Sequence, residues 1–510
     1  MNPVIIDGEG LSLEAVEGVA TQGHQVVLSE KAKSAINASR QVVEDALAKK
    51  TKVYGVTTGL GYLSEVSLDQ AQSIKLQNNM IRSHSAGVGE EFPVEVCRAM
   101  MVLRANALAK GYSGVRLKII ESLLALLNSG VTPVIPQQGS VGASGDLVPL
   151  AHMALLLTGQ GKARKNHQLL DGGEALKAAS LTPIELGPKE ALALVNGTQA
   201  MAAVGVLTLL RGERLARIAD IAGSLSLEAL RGTEAAFDER IHRVRPIPGQ
   251  QVVAENVRRI VAGSSITPRE KNARVQDAYS LRCIPQVHGA VREVLRFVRR
   301  LLEIEINSAT DNPLVFPEDG VVLSGGNFHG EPLAFAMDFM AIGLAELSNI
   351  SDRRTARLID PKLSGLPPSL SEHAALGCSF GILQIVTASL ASENKTLAHP
   401  ASVDSIPTSA NQEDHVSMGS IAARKARDVA RNVEQVLAIE CLCAAQGLDF
   451  VGLEKCGRGT RRAHEILRSR VPWLTEDRAR IFHDDIAQIA SLLHEGIFLQ
   501  GVEEVVGRLG

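Results

Sequence analysis

The chain has 510 residues, of which 45% are hydrophobic and 3% are aromatic. Its 53 basic and 56 acidic residues leave a formal net charge of -3, with no long block of one sign, which argues against nucleic acid as a partner. The acidic start, with Asp7 and Glu9, does not fit a secretory signal, and no later segment is long and uncharged enough to span a membrane. We therefore expect a cytoplasmic protein that acts on a small molecule.

Long stretches with apolar residues at helical spacing follow one another along the chain, rich in Ala and Leu. Alternating strand patterns are short and few, with Lys52 to Gly59 and Gly320 to Gly326 as candidates. The pattern predicts a mainly α fold: a core bundle of long helices and a loop-rich N-terminal part, divided into domains 1–200 and 201–510. The predicted helical stretches are 93–129, 196–231, 284–308, 331–358, 371–397 and 416–447.

Polar residues concentrate in the connections between these helices. Loops on a rigid scaffold are where functional sites usually lie, so we expect the site there. The connections in question are 54–61, 139–147, 195–199, 324–332 and 402–418.

The cysteine and histidine patterns do not indicate a metal site. The six cysteines contain no CxxC pair, which favours reduced thiols packed as small hydrophobic side chains. The 13 histidines do not occur as an HExxH pair with a partnering carboxylate. We therefore predict no metal.

The stretch GSVGASGDLVPLAH, from Gly139 to His152, has two interpretations. In the first, Ser144 or Asp146 caps a helix that begins with LVPLAH. In the second, Gly145 has no Cβ, so its nitrogen can approach the carbonyl of Ala143 and close a five-membered ring. Loss of water from Ser144 would then leave a methylidene electrophile. GASGD does not match GxSxG, and no nucleotide-binding signature is complete.

The chain resembles the aromatic amino acid ammonia-lyases and aminomutases, and the resemblance covers nearly its whole length. The family implies a methylidene-imidazolone group formed from Ala143-Ser144-Gly145, without an external cofactor, and removal of ammonia from an α-amino acid. Seven motifs in the family's order make the resemblance specific. They are YGVTTG from Tyr54, RSHSAG from Arg82, VNGTQ from Val195, VQDAYSLRCIPQ from Val275, NSATDNPLVF from Asn307, GGNFHGEP from Gly325 and NQEDHVSMG from Asn411.

Within the family, the stretch from His399 to Met418 is most similar to the branch that converts L-histidine to trans-urocanate, with Glu413 as the marker. YGVTTG and RSHSAG are instead similar to tyrosine lyases and aminomutases. Gly381 stands where the histidine branch carries a methionine, which would leave room in the pocket. A tyrosine or phenylalanine lyase or 2,3-aminomutase is therefore the alternative. A catalytically silent helical scaffold is a third hypothesis, opposed by the intact Ala-Ser-Gly.

The resemblance also implies roles for side chains that, taken singly, would be assigned to structure. Tyr54 would remove the β-proton, which requires neighbours that lower its pKa. Arg282 would hold the substrate carboxylate through its planar fork. His84 and Glu413 would contact the imidazole or amino group of the substrate.

The remaining implied residues surround the prosthetic ring. Asn196 and Tyr279 would hydrogen-bond to it, Gln276 would lie nearby, and Phe328 would pack against ring or substrate. The family forms homotetramers with shared active sites, so Tyr54, Ser144 and Glu413 are expected to come from different chains. Extensive apolar helical faces agree with such an assembly.

Overall fold

Helices make up most of the protein, in a computed structural model that describes residues 2–268, 275–474 and 480–510. The prediction of a mainly α fold is confirmed. The helices are α1 Leu13–Thr21, α2 Glu30–Ala48, α3 Gln70–His84, α4 Val94–Ala109, α5 Leu117–Asn128, α6 Leu147–Leu157, α7 Gly172–Ala178, α8 Glu190–Val195, α9 Gln199–Ala229, α10 Glu239–Arg243, α11 Pro248–Ile260, α12 Tyr279–Arg282, α13 Ile284–Glu305, α14 Glu331–Ile359, α15 Pro361–Ser364, α16 Gly381–Leu397, α17 Gly419–Val451, α18 Arg458–Arg470, α19 Phe482–His494 and α20 Ile497–Val506.

The strands are short and pair locally. β1 and β2 are parallel, whereas β3 pairs with β5, β8 with β9, and β6 with both β4 and β7, all antiparallel. They are β1 Val4–Ile6, β2 Val26–Leu28, β3 Val88–Glu91, β4 Thr132–Pro133, β5 Pro136–Gln138, β6 Lys162–Lys165, β7 Gln168–Asp171, β8 Leu314–Phe316 and β9 Val321–Leu323.

Local sequence signals explain where the helices begin and end. Asp69 and Gln72 form a capping box at the start of α3, which satisfies two backbone donors of its first turn. The predicted helix 93–129 is interrupted between α4 and α5, where Gly111 and Gly114 take positive φ. The predicted helix 371–397 begins only at α16, because Gly377 takes φ +79.

The chain folds into two compact units. The first contains residues 1–207, 299–338 and 400–424, and the second contains 208–298, 339–399 and 425–510. This division differs from the two continuous domains that we predicted with a boundary at residue 200. The long helices α9, α13, α14 and α17 each contribute residues to both units, so four of the five boundaries fall inside helices, and the boundary at 399/400 lies in the loop after α16.

The central helices of each unit are almost completely enclosed. In α4 of the first unit, every residue from Val96 to Ala109 is buried, including Arg98 and Arg104. Among the described helices, α14 is long and apolar enough to cross a membrane, which differs from the prediction that no segment would be. Because 72% of its apolar window is buried inside the protein, α14 has the burial of a core helix.

The second unit contains a buried ion pair that we expect to be essential for stability. Arg354 and Glu440 have fully buried side chains, and Arg354 Nη2 lies 2.8 Å from Glu440 Oε2. Arg354→Met leaves Glu440 without its counterion, so we expect the free energy of unfolding to fall by about 3–5 kcal/mol. Arg240, whose side chain is 79% exposed and pairs with the partly exposed Asp238 in the same unit, provides the control Arg240→Met, whose free energy of unfolding should stay close to that of the wild type. Urea unfolding of both variants measures the difference; equal losses would contradict this role for Arg354.

Candidate functional site

The glycine-rich loop before α6 makes a close approach to a second loop. Gly142 and Gly145 have φ of +72 and +69, a region that favours glycine. A Cβ on Gly145 would lie 2.1 Å from the carbonyl oxygen of Gly197, so any other residue at position 145 would clash with backbone. The loops 139–147 and 195–199 can therefore pair in this way only because position 145 is glycine.

This pairing holds the backbone of Ser144 in place. The Ser144 carbonyl accepts hydrogen bonds from Asn196 Nδ2 at 2.9 Å and from the Gly197 N–H at 3.3 Å, while the Asp146 N–H donates to Gly197 O at 2.7 Å. Isolated parallel bridges join Ala143 with Gly145 and Gly145 with Gly197. The Ala143–Gly145 backbone is thus folded back on itself.

Asp146 occupies the N-cap position of α6, yet its side chain makes no capping hydrogen bond. The fully buried carboxylate instead accepts from Ser140 Oγ at 3.0 Å, from the Met201 N–H at 2.7 Å and from Ser420 Oγ. Burial raises its pKa above the ordinary value, against these donors. The side chain therefore ties the loop to the start of α9, and the capping interpretation does not describe it.

Beside Gly197, buried hydrogen bonds from the Arg104 side chain reach the Ala193 carbonyl in α8 and the start of α9. Arg104 Nη1 donates to Gln199 Oε1 at 2.6 Å, and Gln199 Nε2 donates to Thr310 Oγ1 at 2.7 Å. Burial lowers the pKa of Arg104 to about 10. Next to this group, Asn196 Oδ1 is buried and has no hydrogen-bond partner among the described residues, so it can accept one from a ligand.

Glu413 faces the side chain of Ser144. The Ser144 hydroxyl donates to Glu413 Oε1 at 3.0 Å, and the Thr408 hydroxyl donates to Oε2 at 2.7 Å. The segment that carries Glu413 also pairs with the loop through the Met418 N–H, which donates to Val141 O at 2.9 Å.

Tyr54 lies in a turn, and the predicted strand Lys52 to Gly59 is wrong because these residues form turn hydrogen bonds. The Tyr54 phenol oxygen accepts from the Gly61 N–H at 3.0 Å. Burial raises the pKa of Tyr54, the Gly61 donor lowers it, and the Glu413 carboxylate raises it. The expectation of a lowered pKa is therefore wrong for the chain by itself.

His84 ends α3, with Nδ1 at 3.0 Å from the Met80 carbonyl. Burial lowers its pKa, and the Glu413 charge acts in the opposite direction. Beside it is a pocket of about 460 Å³ with a largely apolar lining. The lining residues are Gly59, Leu60, Leu63, Val66, Leu68, Gln72, Lys75, Leu76, Asn79, Met80, Ser83 and His84.

The first unit therefore gathers two thirds of the predicted site residues. Glu413 acts on the titration of both Tyr54 and His84 and bonds to Ser144, so these four groups come from one chain. The expectation that Tyr54, Ser144 and Glu413 belong to different chains is wrong. Ala143, Gly145, Asn196 and Phe328 also belong to this unit.

Three further predicted residues form a separate group in the second unit. Arg282 Nη1 donates to Gln276 Oε1 at 2.6 Å, and its guanidinium lies 4.6 Å from the centre of the Tyr279 ring. Arg282 Nε is buried without a partner among the described residues. Tyr279 is 71% exposed, beside a pocket of about 400 Å³ that these residues line.

Gly381 begins α16 in the second unit. A Cβ on Gly381 would lie 3.2 Å from Ser369 Oγ, so Ser369 already occupies the space that the first atom of a side chain would need. Phe328 is half-buried in the loop before α14, in the first unit.

The structure brings together one group of possible metal ligands, whereas the sequence predicted no metal. Ligand atoms of His329, Glu331 and His415 lie within 4.8 Å of one another. The His329 nitrogens already face the His415 carbonyl, at 3.3 Å, and the Glu331 N–H, at 3.3 Å. These contacts account for His329 without an ion.

The residues that support the site could not be predicted from the sequence, above all Thr408, Arg104 and the two serines that bond to Asp146. Thr408 lies five positions before Glu413, at a distance that suits a short hairpin. Nothing in the sequence pattern connects Arg104, in the middle of an apolar helix, with the loop 195–199.

Known proteins resemble this chain over nearly its whole length. Residues 11–469 match the family model for aromatic amino acid lyase. The histidine ammonia-lyase of Caldanaerobacter subterraneus subsp. tengcongensis is 52% identical over 510 residues, covering 100% of this chain and 99% of that protein. The crystal structure of histidine ammonia-lyase from Trypanosoma cruzi superposes with a TM-score of 0.92 at 43% identity, covering 99% of this chain and 96% of that chain.

A tyrosine aminomutase from Streptomyces globisporus is similar in structure as well, with a TM-score of 0.92 at 38% identity and 99% coverage of both chains. The match to the family model and these full-length similarities show that the chain belongs to the aromatic amino acid lyase family.

Proposed function

We propose that the protein eliminates ammonia from L-histidine to give trans-urocanate, as a carbon–nitrogen lyase of the cytoplasm. The observation that supports this substrate most directly is the Glu413 carboxylate, which lies 3.0 Å from Ser144 Oγ and acts electrostatically on His84. A carboxylate can accept a hydrogen bond from the imidazole N–H of histidine. The phenyl ring of phenylalanine offers it no such donor.

We further propose that Ala143-Ser144-Gly145 forms a methylidene-imidazolone, with no external cofactor. The residues present fit this group: the backbone is folded so that Ala143 and Gly145 pair, and a Cβ at position 145 would clash with Gly197. Asn196 Nδ2 already donates to the Ser144 carbonyl. When formed, the group supplies an electrophile for the poor leaving group, the substrate amine.

Tyr54 would remove the β-proton through its phenol oxygen. The Gly61 N–H already donates to this oxygen and would stabilise the phenolate. Because burial raises the pKa of Tyr54, the phenolate fraction in the free chain at a given pH is smaller than that of an ordinary tyrosine. Burial lowers the pKa of His84, so this side chain would be neutral near pH 7. Its ring nitrogen that does not face Met80 could then form one hydrogen bond with the substrate.

Arg282 would hold the substrate carboxylate, with Gln276 and Tyr279 fixing its orientation. We propose that these residues act on the Ser144 site of another subunit within a homotetramer. The 71% exposure of Tyr279 and the unpartnered Arg282 Nε support this proposal, because both would gain contacts on assembly. Phe328 would pack near the ring or substrate.

A second candidate is a lyase or 2,3-aminomutase acting on tyrosine or phenylalanine. The apolar lining of the pocket beside His84 favours it, as does the similarity to tyrosine aminomutase. Gly381 is a weaker argument than the sequence suggested, because Ser369 occupies the space that its missing Cβ would enter.

The prosthetic group is tested by intact mass. The wild-type protein is expected to weigh two waters less than its translated sequence, since ring closure and loss of the Ser144 hydroxyl each release one. The Ser144→Ala protein has no Ser144 hydroxyl to lose, so it is expected to release at most one water. It is also expected to show no measurable turnover. Ser491→Ala, on the exposed face of α19, serves as the matched control and should retain both mass loss and activity. Wild-type protein at full translated mass would contradict the proposal.

The substrate is tested by turnover of L-histidine, L-tyrosine and L-phenylalanine, with unsaturated acids and β-amino acids separated by chromatography. We expect urocanate as the main product. Glu413→Gln is expected to lower kcat/KM for histidine by about 10–100-fold, the effect of losing a charge-assisted hydrogen bond. Coumarate, cinnamate or a β-amino acid as the main product would favour the second candidate.

Sharing of sites between subunits is tested by complementation. Ser144→Ala and Arg282→Gln should each be inactive in homotetramers. Coexpression of the two variants should restore part of the activity, because some sites then combine an intact Ser144 loop with an intact Arg282. The control is coexpression of a variant that carries both Ser144→Ala and Arg282→Gln with the single variant Arg282→Gln. It should stay inactive, because neither chain has an intact Arg282. Absence of restored activity in purified mixed oligomers would contradict shared sites.

A further inference from the structure

The Glu413 carboxylate is held at the end of a short hairpin. Thr408 and Glu413 pair as an isolated antiparallel bridge, with the Thr408 N–H donating to Glu413 O at 2.9 Å and the Glu413 N–H donating to Thr408 O at 3.4 Å. Ser409, Ala410 and Asn411, between them, have φ of +52, +54 and +65. Three successive non-glycine residues in the left-handed region persist only where the surrounding structure enforces them.

The two oxygens of Glu413 have different partners. Oε2 accepts from Thr408 Oγ1 at 2.7 Å, within the hairpin, while Oε1 accepts from Ser144 Oγ at 3.0 Å. The first contact comes from a β-branched side chain, whose χ1 is restricted and which therefore presents its hydroxyl in a fixed direction. The backbone pairing fixes the distance between the two residues, and the hydroxyl fixes the rotation of the carboxylate.

The proposed ring formation changes only one of these contacts. It removes the Ser144 hydroxyl as water, so Oε1 loses its donor and can accept from a substrate N–H. Oε2 keeps the Thr408 donor throughout. The hydroxyl of Thr408 thus holds the carboxylate in the same orientation before and after the ring forms.

The same hairpin borders the turn that contacts Tyr54. A Cβ on Gly61 would lie 3.3 Å from Ser409 Oγ, and the Gly61 N–H is the donor to the Tyr54 phenol. Displacement of the hairpin would therefore disturb both Glu413 and Tyr54. A defect confined to the Thr408 hydroxyl should act on Glu413 alone.

We propose that Thr408 is a positioning residue that orients Glu413 toward the reacting end of the substrate. The inference rests on the proposed function, because it assigns Glu413 a contact with substrate. It adds a residue whose effect on turnover passes through the Glu413 carboxylate.

The experiment is a double-mutant cycle on the full-length protein, with kcat/KM for L-histidine as the measurement. Thr408→Val keeps the β-branched shape and removes the hydroxyl, and Thr408→Ser keeps the hydroxyl. Both changes are made in the wild-type protein, and Thr408→Val is also made together with Glu413→Gln. Intact mass of every variant reports ring formation. Thr387→Val removes a hydroxyl that bonds to Asp352 in the second unit, at 2.6 Å, and is the matched control for losing a Thr–carboxylate hydrogen bond elsewhere.

We expect Thr408→Val to form the ring and to lose about tenfold or more in kcat/KM, in line with a hydrogen bond to a charged group. Thr408→Ser should stay within about threefold of wild type, and so should Thr387→Val. In the Glu413→Gln protein, Thr408→Val should change kcat/KM by less than about twofold, because the two residues act as one unit.

Three results would overturn the inference while leaving the proposed function intact. The first is a Thr408→Val protein within about threefold of wild type, and the second is the same loss in the Glu413→Gln background as in the wild type. The third is a Thr408→Val protein at full translated mass, since the hydroxyl would then serve ring formation. Failure of the proposed function is seen separately, as a wild-type protein that does not convert histidine; the cycle is then measured with the amino acid that is converted.

Discussion

The close approach of Gly145 to Gly197 is the constraint on which the rest of the site depends. Two loops of the first unit meet there with backbone against backbone, at a separation that a single Cβ would prevent. The Ser144 carbonyl then reaches both Asn196 and the Gly197 N–H. Directional hydrogen bonds of this kind hold a peptide in one conformation far better than apolar packing can. The polar groups behind the loops, from Asp146 to Arg104, maintain that conformation.

Burial raises the pKa of three acidic side chains in the first unit. Burial raises the pKa of Asp146 and of Glu305, which accepts from Thr198 Oγ1 nearby, and the Asp146 charge raises that of Glu305 further. It also raises the pKa of Tyr54. Each of these shifts disfavours the anionic form. A base that acts as a phenolate therefore needs a positive charge or further donors, and the proposed arrival of Arg282 from another subunit would supply one.

The sequence was sufficient for the features that depend on local pattern. Helical spacing located α9, α13 and α14 to within a few residues, and the glycine-rich stretches marked the loops that now hold Ser144 and Asn196. It was insufficient where the outcome depends on tertiary contact. The pKa of Tyr54 follows from burial and from Glu413, more than 300 positions away in the chain. The compact units share long helices, and no turn signal marks a boundary inside a helix.

Thr408 illustrates why the supporting residues of a site are harder to find than its reacting groups. Motifs contain the side chains proposed for the reaction, and Glu413 is visible as a candidate because it lies in the motif NQEDHVSMG. The hydroxyl that holds its second oxygen belongs to a residue with no distinctive neighbours, in the stretch SIPTSAN. Its importance becomes apparent only when the carboxylate is seen to have one oxygen facing Ser144 and one facing the hairpin. An acid that must present one oxygen to a substrate requires a second contact to stop its rotation, so a catalytic carboxylate on a loop implies a nearby donor.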